Sequence, residues 1–510
     1  MIAKTYSFGL LGLEAYPVEI EIDAANGLPA VTVVGLADTA IKESKERVRS
    51  AIRNSGFQWP SQRITVNLAP SDIKKEGACF DLAIALGILA ATGQINGAVL
   101  KDYYLLGELS LNGELRPVHG VLAISLTMAD LEVKNLLLPE ENSHEAGIIP
   151  EISAWPLRNL KEAVQFLADP GLKQPFKSAL DQITRNNADY PVDFSEVKGQ
   201  YFAKRALEVA VSGGHNILMI GPPGSGKTML AKRIPTIMPE LTLKEALEVT
   251  RIHSVAGTLL KNEFFMGTRP FRSPHHSISD IALIGGGSIP VPGEISLAHQ
   301  GVLFLDELPE FRRDALEALR QPLEDGSIRV SRILKSLVFP ASSVLVAAMN
   351  PCPCGYYTDP KRACRCSTTQ IARYRTKISG PLLDRIDIHI EVPTARYQEL
   401  SGNLPAESSA QIKERTNKAR AIQIERFTEE GILCNARMSH KQVKKICPLG
   451  REENELLKMA MAELNLSARA YDKILKVSRT IADLDGSETI LAGHISEAVQ
   501  YRSLDRLLLI

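Results

Sequence analysis

The sequence has no surplus of charge: 59 Lys and Arg balance 59 Asp and Glu over 510 residues. No global basic field therefore advertises nucleic acid, and any such site must be local. Cysteine is scarce. Seven of them, unevenly spaced, do not build a disulfide scaffold. Four fall between positions 352 and 366, which points to metal rather than disulfides. No apolar run reaches the ~18 residues of a membrane-spanning helix. The first residues, Met1-Ile-Ala-Lys-Thr-Tyr6, lack the charged and apolar regions of a signal peptide. The expectation is a cytoplasmic protein in a reducing compartment, with no membrane partner. What is present is ordinary globular composition, 45% hydrophobic and 23% charged. At about 150 residues per domain the length suggests about three domains.

The most informative stretch is Gly221-Pro-Pro-Gly-Ser-Gly-Lys-Thr228. It follows the apolar run Asn216-Ile-Leu-Met-Ile220 and precedes a helix-like segment from Met229, the strand–loop–helix context of a phosphate-binding loop. Gly221, Pro222, Pro223, Gly224, Ser225 and Gly226 would form the loop, whose glycines let backbone N–H groups close around the β-phosphate, and the helix N-terminus adds a favourable dipole. Lys227 would neutralise the β/γ-phosphates, and Thr228 would offer a hydroxyl to Mg²⁺.

Leu303-Phe-Leu-Asp-Glu307 is an apolar run closed by two acids, as a buried parallel strand would be. Asp306 would hold Mg²⁺ through its water shell and Glu307 would polarise the attacking water. Val344-Leu-Val-Ala-Ala-Met349 is a further strand, ending at Asn350, the position of a polar sensor of the γ-phosphate. Cys352, Cys354, Cys364 and Cys366 form C-x-C, nine residues, C-x-C. Four thiolates match a structural Zn²⁺ site, with free or redox-active thiols as the other reading.

The N-terminal third alternates strands and helices. Val18-Glu-Ile-Glu-Ile22 and Ala30-Val-Thr-Val-Val34 read as strands joined by an Asn26-Gly27 hairpin turn. Residues 40–55 read as an amphipathic helix whose Lys42, Lys45 and Arg49 are either a solvated face or a nucleic-acid contact. Residues 80–92 read as an apolar helix, and Asn112-Gly113 marks a second hairpin. The domains expected are 1–170, a linker at 171–192 rich in Pro and Asn, a core at 193–395 carrying a Cys-rich loop at 351–367, and a helical region at 396–510.

Three stretches resemble the Lon-protease-like domain: Val66-Asn-Leu-Ala-Pro-Ser-Asp72, Lys74-Lys-Glu-Gly-Ala-Cys-Phe-Asp-Leu82, and the segment from Gly107 to Val118. Cys79 stands where that family has its serine nucleophile, and the dyad lysine would fall near Leu122, which cannot act as a base. The resemblance implies a proteolytically inactive scaffold. Asp193-Phe-Ser-Glu-Val-Lys-Gly-Gln200 resembles the entry segment of AAA+ ATPases, which implies that Val197, Gly199 and Gln200 lie against adenine.

Pro381-Leu-Leu-Asp-Arg-Ile-Asp387 resembles a segment of Mg-chelatase and MCM-type ATPases in which the arginine reaches a neighbouring subunit's γ-phosphate. Arg385 is the implied arginine finger, with an intrachain ion pair as the alternative. Leu466-Ser-Ala-Arg-Ala-Tyr471 resembles the lid segment bearing the sensor-2 arginine, which implies Arg469, with Arg479 as runner-up. Residues 279–299 look like the helix-2 insert and residues 325–336 like the pre-sensor hairpin. From that hairpin Arg329, Arg332 and Lys335 would track a DNA backbone or simply guard an edge.

Nearly the whole chain resembles the Mg-chelatase-like AAA+ proteins of the ComM/YifB family. That resemblance implies an α/β AAA+ P-loop ATPase with an N-terminal Lon-like domain and a C-terminal helical lid, using ATP and Mg²⁺. It further implies a hexameric DNA helicase that promotes branch migration and heteroduplex extension in recombination during natural transformation. The alternatives are a chelatase-type or chaperone-like remodeller of a protein partner, and an ATP-dependent protease, which Cys79 and Leu122 argue against.

Overall fold

The computed structural model describes residues 2–75, 77–177, 190–259, 264–287, 290–331, 336–357, 359, 362–394, 406–464 and 466–505. The chain divides into two compact units, Met1–Asn186 with Leu247–Met266, and Asn187–Ala246 with Gly267–Ile510.

In the first unit β1 (Ile2–Leu11) and β2 (Glu14–Ala25) form a long antiparallel hairpin turning at Gly12, whose φ of +61° suits glycine. Along β2, Val18, Ile20, Ile22 and Ala24 are buried while the residues between them face outward, the period of two that a half-buried strand requires. Then follow β3 (Ala30–Val34), β4 (Arg63–Ala69), β5 (Tyr104–Leu105), β6 (Glu108–Leu109), β7 (Leu115–Arg116), β8 (Asn135–Pro139) and β9 (Ser153–Leu157). The mixed sheet has the order β3-β4-β2-β1-β5-β8-β9. The helix Asp81–Ala91 is apolar all round and wholly buried, packed on β1 and β2.

The expected hairpin at Asn26-Gly27 does not form. β4 lies between β2 and β3, antiparallel to the first and parallel to the second. A parallel pair needs a crossover, and the helix Thr39–Asn54 supplies it. Asn-Gly marks a turn, but the crossover decides which strands pair. At Asn112-Gly113 the expected antiparallel pairing is present between β6 and β7.

The second unit is built on β10 (Ile217–Ile220), β11 (Phe271–Arg272), β12 (Gly285–Gly286), β13 (Val291–Pro292), β14 (Val302–Leu305), β15 (Ser327–Ser331), β16 (Ser336–Pro340), β17 (Val344–Met349) and β18 (Ile388–Glu391). Its main sheet is wholly parallel, in the order β11-β14-β17-β10-β18. Every residue of β10, β14 and β17 is buried, which explains their unbroken apolar runs.

The C-terminal helices Ser409–Arg426, His440–Ile446, Arg451–Glu463, Ala468–Leu484 and Ala492–Gln500 share one hydrophobic core with this sheet. Capping boxes start two of them, Ser408 with Gln411 and Ser439 with Gln442. Residues 247–266, read from sequence as part of 193–395, group with the first unit. There Arg251 donates to Leu13 O at 2.7 Å and Ser254 hydrogen-bonds Glu145. No helix among the described residues is long and apolar enough to cross a membrane.

Lys75 is fully buried in the first unit, and its ammonium makes no hydrogen bond among the described residues. Burial pulls its pKa below the usual lysine value. The unfolded chain thus binds more protons than the folded one as pH approaches the ordinary lysine range, so stability rises with pH there. Lys75→Met should raise stability at pH 7 by about 1–2 kcal/mol and flatten that rise. Urea unfolding at pH 7 and at pH 9.5 measures both, and a variant less stable at both values contradicts the expectation.

Candidate functional site

β10 delivers the chain to the glycine loop at the C-terminal edge of the parallel sheet, where such sheets gather ligands. Gly224 and Gly226 take φ of +77° and +90°. A Cβ on Gly221 would lie 2.1 Å from Val392 O, so only glycine fits that close approach. The helix Lys227–Ile237 starts immediately after, directing its free N–H groups into the loop.

Lys227 Nζ donates to Gly221 O at 2.7 Å, Pro222 O at 3.0 Å and Asn350 Oδ1 at 3.3 Å. Burial lowers its pKa, although the Asp306 and Glu307 carboxylates favour the charged form. A phosphate oxygen would stabilise this ammonium far better than neutral carbonyls do. Thr228 donates its hydroxyl to Asp306 Oδ2 at 2.7 Å, bringing together two oxygens of the kind Mg²⁺ takes.

Glu307 is exposed, with φ of +53°, a conformation that non-glycine residues keep where their surroundings impose it. His276 Nδ1 lies 3.7 Å from its carboxylate. The sequence reading missed His276. The His275-His276 pair just before the insert was the available signal, but nothing local ties it to residue 307. The set can bind a polyphosphate with a divalent cation and hold a carboxylate beside an attacking water.

The entry segment closes one side of this loop. Val197 is buried, and Gly199 and Gln200 are both left-handed, with φ of +65° and +56°. Gln200 Nε2 donates to Ser225 O at 3.3 Å and to Pro393 O at 2.5 Å, so its amide ties the segment to the glycine loop.

Arg385 and Arg469 lie elsewhere. Ile388 pairs with Ile217 and Glu391 with Ile220, so Arg385 precedes the start of β18 while the glycine loop follows the end of β10. The two therefore sit at opposite ends of the same parallel strands. Arg385 donates to Pro381 O at 2.7 Å and pairs with Glu324, not with Asp384 or Asp387. Arg469 pairs with Asp384 at 3.5 Å.

Both arginines line a polar cavity of about 460 Å³ together with Arg437, Lys473 and Lys476, three cations the sequence reading did not single out. Burial opposes the charge on Asp387 nearby, yet Lys473 and His215 hold its carboxyl well below the usual range. Arg479 is buried, its guanidinium engaged by Asp483 and by Glu488 O at 2.8 Å.

β15 and β16 pair antiparallel as the expected hairpin, with Arg329 exposed opposite Val338. Arg332 and Lys335 fall outside the described residues. The four clustered cysteines place all their sulfurs within 4.8 Å of one another. No disulfide links them, and main-chain N–H groups of Arg365 and Tyr356 pull the Cys354 thiol down to about 6. In the first unit, burial pushes the Cys79 thiol up to about 12, and Leu122 is wholly buried. A thiol that burial holds protonated is a poor nucleophile.

A parallel sheet with this loop, these paired acids and an Asn-tipped neighbouring strand defines a P-loop ATPase module of the AAA+ kind. Family models described as "Magnesium chelatase, subunit ChlI", "Subunit ChlI of Mg-chelatase" and "Magnesium chelatase, subunit ChlI C-terminal" match residues 193–400, 20–142 and 406–502. The chain belongs to the magnesium-chelatase family. Within it, the chain is 45% identical over 513 residues to Competence protein ComM of Haemophilus influenzae, covering 99% of this chain and 98% of that protein. It is 44% identical over 501 residues to YifB of Escherichia coli, covering 98% and 96%. Lon protease 1 of Hydrogenovibrio crunogenus matches at 27% identity over 171 residues, 32% of this chain and 20% of that protein.

Glu307→Gln should keep ATP binding within about twofold while turnover falls by about 10²-fold or more. Lys227→Ala should instead lose binding. Titration with a fluorescent ATP analogue beside a phosphate-release assay separates the two. Wild-type turnover in Glu307→Gln would remove that residue from the chemistry.

Proposed function

We propose that the chain is an ATP hydrolase working as a hexameric ring, in which each nucleotide is held by Lys227, Thr228, Asp306, Glu307 and Asn350 of one subunit. Arg385 and Arg469 of the next subunit complete the site. The observation that carries this reading is the separation of Arg385 and Arg469 from Lys227 across the length of the sheet. A guanidinium that cannot reach its own γ-phosphate is useful only to a neighbour's.

The ring's substrate is DNA, single-stranded or branched. Hairpins bearing Arg329, Arg332 and Lys335 line its channel, and the outcome is branch migration and heteroduplex extension during recombination in natural transformation, with recombination proteins as companions. The similarity to a Haemophilus competence protein supports this choice over remodelling of a protein partner. The four clustered cysteines hold a structural zinc, and the absence of disulfides supports a cytoplasmic location.

Lys227→Ala and Arg385→Ala chains should each be inactive alone. Mixed one to one, they should recover about a quarter of wild-type sites, since a random ring pairs an intact loop with an intact arginine at that frequency. No recovery at any ratio rejects the shared site. ATPase rates measured without DNA, with single strands, with duplex and with a branched junction should rise with DNA. Rates indifferent to every DNA would transfer the reading to a protein remodeller. Arg329→Ala should weaken binding to all sequences alike and reduce the salt slope by about one.

A further inference from the structure

The loop between Asn350 and the helix Thr368–Arg375 contains no helix or strand among its described residues. A loop of that length needs a staple to hold one conformation. Its four sulfurs supply one. Cys352 and Cys354 lie 3.4 Å apart, and both lie 3.6 Å from Cys364. A tetrahedral zinc with Zn–S bonds near 2.3 Å requires sulfur–sulfur edges of about 3.8 Å. A disulfide requires about 2.05 Å, far shorter than any of these. The Cys366 main-chain N–H points at Cys364 Sγ at 3.4 Å, as donors do around metal-bound thiolates. The donor set therefore fits one zinc ion.

This staple touches the nucleotide site at two points and is braced at a third. Only Pro351 separates Cys352 from Asn350, whose Oδ1 accepts from Lys227 Nζ at 3.3 Å. On the other side of Cys354, Gly355 lies flat against the glycine loop. A Cβ there would stand 2.5 Å from Pro223 Cδ and 2.7 Å from Cγ, and the residue takes φ of +83° to allow the approach. Gly355 N also bonds to Cys352 O at 2.9 Å, so the contact residue is part of the turn that carries two ligands. Finally, Ser367, next to Cys366, caps the helix Thr368–Arg375. That helix returns to the start of the loop, where Arg375 Nε donates to Pro351 O at 3.3 Å and the Tyr374 hydroxyl meets the Asn350 backbone. The cysteine knot closes a circuit around Asn350 and props Pro223.

We propose that zinc held by Cys352, Cys354, Cys364 and Cys366 fixes the glycine loop through Gly355 and Asn350, so that zinc and ATP bind this chain cooperatively. The proposal rests on the reading of the cysteines as a zinc site and of residues 221–228 as the ATP loop. Zinc prepays the ordering of both contacts, and a nucleotide that orders them in turn tightens the thiolate cage. Linkage demands that the two effects be equal.

The test uses the full-length protein, with zinc content measured by atomic absorption and ATPγS affinity measured by calorimetry before and after removal of metal with a chelator. ATPγS should bind about tenfold more weakly to the stripped protein. Saturating ATPγS should raise the apparent zinc affinity, read by competition with a metallochromic chelator, by a comparable factor. That second measurement is made on loaded protein, so it decides the matter even where stripping unfolds the loop. Lys227→Ala should retain one zinc per chain and show no protection by ATPγS. Pro223→Ala should retain zinc while the coupling falls below about twofold.

One zinc per chain with equal ATPγS affinity before and after stripping, and no protection from the chelator, overturns the coupling and leaves the zinc reading intact. Less than a tenth of a zinc per chain in protein that binds ATPγS overturns the zinc reading itself. Zinc without any ATPγS binding overturns the nucleotide reading.

Discussion

Asn216 fixes the starts of three parallel strands at once. Its side-chain oxygen accepts from Leu345 N at 2.9 Å, its amide donates to Arg385 O at 3.0 Å, and its main-chain carbonyl takes the N–H groups of Asp387 and Ile388. Once β10, β17 and β18 share a starting line, their lengths determine what meets at the far end. Gly221 and Asn350 emerge side by side there, with Gly221 N bonded to Met349 O at 3.2 Å. The same register holds Arg385 at the near end. The convergence of Lys227 with Asn350 and the exile of Arg385 are two results of one constraint.

The polar groups of the second unit are paired in a way that keeps the nucleotide loop ready for phosphate. Lys227 rests on carbonyl oxygens, and Thr228 rests on Asp306. Each is a bond that a phosphate or a cation replaces with a stronger one. The sheet beneath does not have to move for that exchange, because its central strands are wholly buried and one face packs into a core that also takes in the C-terminal helices.

Much of this site was legible because its motifs are local. The glycine loop, the acids closing β14 and the strand before Asn350 each announce themselves within about ten residues, through glycine freedom or an unbroken apolar run. Strand partnership was less legible. Asn26-Gly27 signalled a turn, yet β4 arrives from beyond a helix to lie between the flanking strands. The spacing of the four cysteines suggested a metal, but their position against Pro223 depends on contacts across more than a hundred residues of chain. Facing pairs such as His276 with Glu307 are likewise set by the sheet rather than by neighbours in sequence. The placement of residues 247–266 with the first unit has no compositional mark at all.

In the proposed ring, the ion pair between Arg385 and Glu324 would set what completion of a shared site means energetically. A bare guanidinium would be captured by a phosphate with a large gain and a slow release. One that already has a carboxylate trades one anion for another, and the difference is small because both partners satisfy the same donors. Glu324 lies in the last turn of a short helix, Arg320–Asp325, that leads through Gly326 into β15. In the proposed ring, an arginine that lets go of Glu324 to meet a neighbour's phosphate would also unclip the root of the hairpin, so that each swap of partners would be at once a chemical step and a mechanical one.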